Sequence, residues 1–321
     1  MPPNKSFMQL PALLHSVSYS GSWGQARLPL EQFIDKAADL GFEGVLLMAK
    51  RPHLSLLDHG PAERRQLRAR IEKRALRIAV AGYNNFTADL EHGDIPHREI
   101  QVHYVVELAR LTADLGGNLL RIFTGYEHSA APYRPQWDLV SGALRECARR
   151  AADFEVTIGV QNHHDIGVGC ESLYDLIREV NEPNCRALFD AWAPALHGTD
   201  LEAAARKLAP LTAHTTIANY QRRPRYRYDP AAINYIPLTP YMQAVPVDEG
   251  FIDYAAFLGA LQAGGFDGSV AYEMCSPLSG GGGIENLDAY ASRFVSFLRA
   301  FRERPVREPA VTIVSPTPRW S

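Results

Sequence analysis

Two hydrophobic patterns alternate along the chain. Short apolar runs rich in β-branched residues are followed by longer segments in which apolar residues recur every three or four positions. The short runs indicate buried strands, and the longer period indicates amphipathic helices. The pattern predicts strands at 13–19, 42–49, 77–83, 118–125, 156–162, 185–192, 212–220 and 266–274. It predicts helices at 28–41, 61–76, 95–116, 135–155, 171–181, 201–209, 253–265 and 285–303.

The order of these elements predicts an α/β fold with one parallel sheet. Eight strand–helix units in succession favour a closed (β/α)8 TIM barrel over residues 12–303, as a single domain. An open doubly wound sheet is the alternative, but no GxGxxG motif follows the first strand. A long insertion at 221–250 follows the seventh strand, and residues 304–321, rich in Pro and Arg, form a C-terminal extension.

Composition and charge narrow the classes of function. The 321 residues are 46% hydrophobic and 21% charged, with a formal net charge of −3 at pH 7, so we expect no nucleic-acid partner. No apolar run is long enough to span a bilayer, and the N-terminal residues lack the pattern of a secretory signal. The four cysteines contain no CxxC pair. These features favour free thiols and a cytoplasmic location.

Polar side chains interrupt four consecutive apolar runs. Gln161 ends the fifth predicted strand, Asp190 lies in the sixth, His214 in the seventh and Glu273 in the eighth. A buried carboxylate is costly unless it is paired or bound to a metal, and the active sites of such barrels lie at the carboxyl ends of the strands. We therefore expect the four to form one divalent-metal site. The alternative is that each is a hydrogen-bonded core group or a helix cap.

The donor types indicate which ion such a site would hold. Three oxygen donors and one imidazole suit Mn²⁺ or Mg²⁺, with Co²⁺ and Zn²⁺ as alternatives. The absence of thiolates among them argues against a structural zinc site.

Several motifs together resemble the xylose-isomerase-like TIM barrel superfamily, in particular its sugar-phosphate isomerase and epimerase branch. They are VQNHHD (160–165), LFDAW (188–192), TAH (212–214), VAYEM (270–274) and the glycine-rich segment at 273–288. The resemblance covers about residues 12–300. It implies a barrel with one catalytic divalent ion, held by a Glu, Asp, His, Glu set on strands five to eight, in an enzyme acting on sugars.

Gln161 departs from that family, which usually has glutamate at this position. In the family's ketose epimerases the two metal-bound glutamates also act as acid and base on opposite faces of the substrate, whereas an amide takes no proton near neutral pH. Ala193 stands where that branch tends to have a histidine. One base suffices for isomerisation or elimination, and the candidates are Glu273 and His163, which share a face with the predicted site.

We therefore expect a metal-dependent isomerase or epimerase that forms a metal-stabilised enediolate from a keto-sugar or related polyol. The first alternative is a lyase or dehydratase that eliminates a β-substituent from a keto-sugar, keto-cyclitol or 3-keto-glycoside, including a C-glycoside. The second, from another class, is a non-catalytic sugar-binding or assembly subunit. A three-metal DNA-repair site would need more histidines and carboxylates than these motifs supply.

Other strand ends and one loop supply the predicted substrate pocket. Its expected wall residues are His15, Tyr83, Arg121, His164, Trp192 and Arg222. The insertion at 221–250 carries QRRPRYRYDP, and it could form a lid over the active face or a subunit contact. We expect a homo-oligomer, with a second subunit type as an alternative.

Overall fold

The computed structural model describes residues 10–91 and 93–304, so the predicted C-terminal extension, apart from its first residue, lies outside the described part. The barrel strands are β1 Ala12–His15, β2 Gly44–Met48, β3 Arg77–Ala81, β4 Leu119–Ile122, β5 Thr157–Gln161, β6 Cys185–Leu188, β7 Thr212–Ile217 and β10 Ser269–Tyr272. These eight parallel strands close into a barrel in the order β1-β10-β7-β6-β5-β4-β3-β2, which confirms the predicted TIM barrel.

Helices surround the barrel, as the alternating pattern predicts. They are α1 Leu30–Asp39, α2 Pro61–Lys73, α3 His97–Asp114, α4 Tyr133–Ala152, α5 Cys170–Val180, α6 Trp192–Leu196, α7 Leu201–Leu208, α8 Tyr254–Ala263 and α9 Ile284–Arg302. The outward-facing residues of the strands pack against these helices in one continuous core. The inward-facing residues form a second, smaller core of Leu13, Leu46, Ala79, Ala81, Leu119 and Ala271. Because alternate residues of a strand face opposite sides, β1, β2, β3, β4 and β10 contribute to both cores.

The first strand is shorter than predicted. It ends at His15, and Ser16–Tyr19 form a 3₁₀ turn instead of continuing the strand. The His15 ring accepts a hydrogen bond from the backbone N–H of Val17 over 3.2 Å, which stabilises the turn. All four residues of this turn are buried, as the residues of a barrel strand are, and the sequence pattern therefore did not distinguish the turn from a strand.

A two-stranded antiparallel hairpin, β8 Asn219–Asp229 and β9 Asn234–Val245, occupies most of the predicted insertion. Its base lies on the barrel, where the backbone N–H of Ala244 donates to the carbonyl of Pro277. Most side chains from 222 to 241 are exposed, so the far end of the hairpin extends away from the barrel. Within the described ranges no helix has both the length and the apolar character needed to cross a bilayer.

Candidate active site

Polar side chains gather inside the barrel at the carboxyl ends of its strands. Gln161 is the last residue of β5, Asp190 follows β6, Glu273 follows β10, and Arg121 and His15 lie on β4 and β1. Gln161, Asp190, Arg121 and His15 are at least nine-tenths buried, in a region where most buried side chains are apolar. This is the end of the barrel at which such folds carry their chemistry.

Gln161, Asp190 and Thr216 form a closed hydrogen-bonded set. The amide nitrogen of Gln161 donates to Asp190 Oδ2 over 3.0 Å and to the Thr216 hydroxyl over 3.2 Å. Thr216 donates in turn to Asp190 Oδ2 over 3.0 Å, and the backbone N–H of Trp192 donates to Asp190 Oδ1 over 2.7 Å. Burial raises the pKa of Asp190, and these donors oppose the rise because they favour the carboxylate. Both carboxylate oxygens are thus already engaged by the protein.

Asn162 fixes the backbone on which that carboxylate stands. Its side-chain oxygen accepts from the N–H of Asp190 over 2.6 Å, and its nitrogen donates to the Asp190 carbonyl over 2.9 Å. Asp190 lies just beyond the end of β6, where hydrogen bonds between neighbouring strands no longer fix the backbone. The two hydrogen bonds from the Asn162 side chain hold the backbone of Asp190 in their place.

His214 does not join this set. Its Nδ1 lies 2.7 Å from the Ser269 hydroxyl at the beginning of β10, and its buried Nε2 has no hydrogen-bond partner. Thr216, two residues farther along the same face of β7, reaches Asp190 instead. Burial and the charge of Arg121 lower the pKa of His214 to about 3, so its ring is neutral.

The predicted four-ligand metal set is therefore not assembled. Among the residues the structure describes, no three His, Cys, Asp or Glu side chains are grouped so that they could hold a metal ion. Gln161 turns its amide nitrogen, which cannot ligate a cation, toward Asp190, and each oxygen of Asp190 already accepts at least one hydrogen bond from the protein. These donors do not fit a resident divalent ion in the arrangement that the structure shows.

Arg121 supplies a positive charge in the same interior. Its Nη2 lies 3.1 Å from His15 Nε2, and its Nη1 donates to the Gly82 carbonyl over 3.3 Å. The guanidinium lies over the ring of Phe123, with 4.2 Å to the centroid, and over that of Tyr83 at 5.0 Å. Aromatic faces attract a cation, which helps to offset the cost of burying it.

Glu273 is the second acidic group of the site. Its Oε2 lies 3.8 Å from His15 Nε2, and its Oε1 accepts a 3.5 Å hydrogen bond from the Cys275 thiol. Burial and, to a smaller extent, the charge of Asp190 together raise the pKa of Glu273 to about 7, while Arg121 opposes the rise. Burial and Arg121 lower the pKa of His15, so that ring is neutral. Glu273 is thus a carboxyl group that can gain or lose a proton near neutral pH.

His163 and His164 lie side by side and pack against the ring of Phe123, the residue that follows β4. Their Nδ1 atoms are 2.8 Å apart, and both rings pack on Phe123 with centroid distances of 4.6 and 4.3 Å. Partial burial lowers the pKa of His163 to about 4, with a further contribution from Arg121. Asp165 accepts from the backbone N–H of Glu127 instead of orienting either ring.

Of the other predicted wall residues, one lies inside the barrel and two lie at the base of the hairpin. Tyr83 lies beside Arg121 near the centre, whereas Trp192 packs on Tyr220 at the base of the hairpin, with ring centroids 3.9 Å apart. Arg222 is exposed and lies over the ring of Phe251. It belongs to the hairpin base and not to the interior of the barrel.

Three contributors were not predicted from the sequence. Thr216 completes the set around Asp190, Cys275 contacts Glu273, and Lys50 lies 4.0 Å above the ring of Tyr83. Lys50 directly follows the predicted second strand, so the expectation that site residues lie at the carboxyl ends of strands could have identified it. Thr216 shares the period-two face of His214, but threonine is common in strands and gave no separate signal.

Comparisons with known proteins agree with this architecture. A family model described as a xylose isomerase-like TIM barrel matches residues 34–300. No curated protein sequence matches the chain significantly. Similar solved structures include an L-ribulose 3-epimerase, at 20% identity and a TM-score of 0.70 over 92% of this chain and 95% of that one.

Two further structures are similar over nearly their whole lengths. A xylose isomerase-like TIM barrel protein from Mycobacterium smegmatis, in complex with magnesium, is 14% identical, with a TM-score of 0.67 over 93% of this chain and 99% of that one. The probable 3-DHS dehydratase AsbF from Bacillus anthracis is 18% identical, with a TM-score of 0.66 over 92% of this chain and 100% of that one. At these identities the likeness shows a shared fold.

Proposed function

Because the chain belongs to the xylose isomerase-like TIM barrel family, we propose that it is an enzyme that isomerises or epimerises a keto-sugar or related polyol. The reaction begins with removal of a proton from the carbon next to the substrate carbonyl. The L-ribulose 3-epimerase among the similar structures supports this class of substrate. The absence of a strongly basic charge agrees with a small neutral or weakly charged substrate.

The observation that carries the proposal is the placement of Glu273 beside the His15–Arg121 pair at the carboxyl end of the barrel. In the proton transfer, the C–H bond breaks, the proton goes to the Glu273 carboxylate, and the electron pair forms the C=C bond of an enediolate. The carbonyl π electrons move onto oxygen, which becomes negatively charged. A positive charge fixed nearby stabilises that oxygen more than it stabilises the neutral carbonyl.

The site supplies one base of this kind. Gln161 takes no proton near neutral pH, and the oxygens of Asp190 are engaged by three protein donors. His163 is the second candidate, but its lowered pKa makes it a weaker base than Glu273. A single base returning the proton on the same face suits isomerisation between neighbouring carbons better than a two-base epimerisation.

The same arrangement supports elimination as a second candidate function. An enediolate can expel a substituent from the β-carbon, and this step needs no second base to return the proton to carbon. The probable 3-DHS dehydratase among the similar structures supports this alternative. The substrate would then be a keto-sugar, keto-cyclitol or 3-keto-glycoside with a β-leaving group.

Incubation with a panel of keto-sugars and keto-cyclitols in D₂O tests both candidates. Isomerisation gives deuterium at a carbon next to the carbonyl, detected by NMR, and elimination gives loss of a substituent, detected by mass spectrometry. We expect Glu273→Gln to slow either reaction at least about 100-fold, because the general base is lost. Glu285→Gln, which changes an exposed carboxylate on α9, is the matched control. Full activity in the Glu273 variant, or no reaction with any substrate of the panel, contradicts the proposal.

A further inference from the structure

We infer that the guanidinium of Arg121 is the resident cation of this site and supplies the positive charge that a divalent metal ion would otherwise supply. The inference builds on the proposed function, since it identifies the positive charge that would stabilise the enediolate. It also predicts a property that needs no substrate to measure, namely that the site does not take up a divalent ion.

The first argument concerns the ligands. A divalent ion needs several free lone pairs that converge on one point, yet Gln161 presents its amide nitrogen to Asp190, which receives three protein donors. His214 has an unpaired Nε2, but within the described residues it belongs to no group of three possible ligands. Thr216, a neutral hydroxyl, completes the set. For Gln161 to ligate a metal, its amide would have to turn, and this would break its hydrogen bonds to Asp190 and Thr216 inside a buried network.

The second argument concerns charge. Asp190 and Glu273 bring two negative charges and Arg121 brings one positive charge, while His15 and His214 are fully buried, which favours their neutral forms. With both carboxylates ionised, these buried groups therefore sum to about −1 without any ion, and the Lys50 ammonium over the Tyr83 ring adds a positive charge nearby. Addition of a 2+ ion would bring that sum to about +1 in a poorly solvated interior, with direct repulsion from Arg121.

The third argument concerns the way in which Arg121 is held. Its guanidinium contacts the Gly82 carbonyl and His15, and it lies against the rings of Phe123 and Tyr83. The same His15 nitrogen lies 3.8 Å from Oε2 of Glu273, the proposed base, so that the guanidinium and the base lie on either side of one ring atom. A guanidinium fixed from several directions provides a positive charge that does not have to reorganise during the reaction.

Calorimetric titration with Mn²⁺, together with metal analysis after desalting, tests the inference on the full chain. We expect the wild-type protein to retain no stoichiometric Mn²⁺. We expect Gln161→Glu combined with Thr216→His to create a site for about one ion per chain, because it adds a carboxylate and an imidazole beside Asp190. Further addition of Asp190→Asn should abolish that binding.

Substitutions of Arg121 separate its charge from its shape. Arg121→Met should raise the affinity for Mn²⁺ at least about tenfold over wild type, because two buried carboxylates are left without their cation. Arg121→Lys retains the charge and should not raise it. Circular dichroism checks that each variant is folded, and the Gln161–Thr216 double variant remains informative should Arg121→Met unfold.

The outcomes are distinct from those of the proposed function. One Mn²⁺ per wild-type chain, lost on Asp190→Asn, overturns the inference even when deuterium exchange is observed. Equal Mn²⁺ affinities of Arg121→Met and wild type also overturn it, because the guanidinium would then not be what excludes the ion. If instead no sugar exchanges deuterium but the metal titrations give the expected pattern, the proposed function fails and the assignment of the resident cation stands.

Discussion

At the scale of single residues, Gln161 determines much of the chemistry of this site. A glutamate at this position would bring a third carboxylate next to Asp190, and repulsion between the two would favour a divalent ion between them. The amide instead donates a hydrogen bond to Asp190 and another to Thr216. One uncharged group thus turns a set of predicted ligands into a hydrogen-bonded network.

His214 gives a prediction about stability and pH. Its folded-state pKa of about 3 is below the ordinary value of 6.5, so the unfolded chain binds more protons between these values and acidification favours unfolding. Between pH values of about 7.5 and 5, this group should cost the wild type about 2 kcal/mol of unfolding free energy. His214→Asn removes the ionisable ring and keeps a polar group near Ser269.

Urea unfolding of both proteins at the two pH values measures the effect. The difference in unfolding free energy between wild type and His214→Asn should shrink by about 2 kcal/mol on acidification. All other titrating groups are common to the two proteins and cancel in the comparison. A difference that does not change with pH would mean that His214 has an ordinary pKa in the folded protein.

The sequence predicted most residues of the site but not their partners. Gln161, Asp190 and Glu273 lie at strand ends where the predicted barrel places them. The choice between His214 and Thr216 depends on a register shift between β6 and β7, at Ala187 and Leu188. A bulge changes which inward-facing residue reaches a given height in the barrel, and hydrophobic periodicity does not reveal it.

At the scale of elements, the eight barrel strands were predictable and the hairpin was not. The barrel strands are short apolar runs, whereas β8 and β9 are rich in exposed Arg, Tyr and Pro. Proline lacks a backbone donor and is therefore unusual in a strand. A strand without a buried face also shows no alternation of apolar and polar residues, so the sequence indicated only a loop. The pairing of β8 with β9 arises from backbone hydrogen bonds between two segments without a shared hydrophobic pattern.

Because the far half of the hairpin is exposed, the barrel should fold without it. We expect replacement of residues 224–240 by Asn-Gly, which joins the paired Arg223 and Tyr241 through a two-residue turn, to change the unfolding free energy by less than about 1 kcal/mol. Tyr220→Ala at the buried base is the contrasting variant, with an expected loss of about 3 kcal/mol.

Light scattering on the same shortened protein addresses assembly. A homo-oligomer formed through the hairpin should become a smaller particle, while a lid function should leave the molar mass unchanged and alter activity instead. A loss of stability comparable with that of Tyr220→Ala would contradict the view that the far half of the hairpin contacts little else.

At the scale of the whole molecule, the pairing of β1 with β10 closes the barrel, and contacts between the two ends of the described chain reinforce that closure. Arg302, at the end of α9, donates to the carbonyl of Leu10 and to Glu43 Oε2. That same carboxylate oxygen accepts from the backbone N–H of Ala12 over 2.8 Å. Helix α9 is therefore joined to the residue segment just before the first barrel strand and, through Glu43, to that strand itself.

Arg302→Met should accordingly lower the unfolding free energy by about 1–3 kcal/mol, since it removes the side-chain donor of the Leu10 carbonyl and leaves the Glu43 carboxylate with only the Ala12 N–H. Arg299→Met, on an exposed turn of the same helix, should cost less than about 0.5 kcal/mol. Urea denaturation gives both values. Equal stabilities of the two variants would show that this junction adds nothing to the closure of the barrel.

The covalent attachment of Arg121 has one more consequence. A guanidinium is part of the polypeptide, so it cannot be removed by a chelator or exchanged for a competing ion. The assignment of Arg121 as the cation of this site therefore implies that the supply of manganese or magnesium does not limit the proposed reaction, whereas a barrel that must bind a free ion loses activity when that ion is scarce.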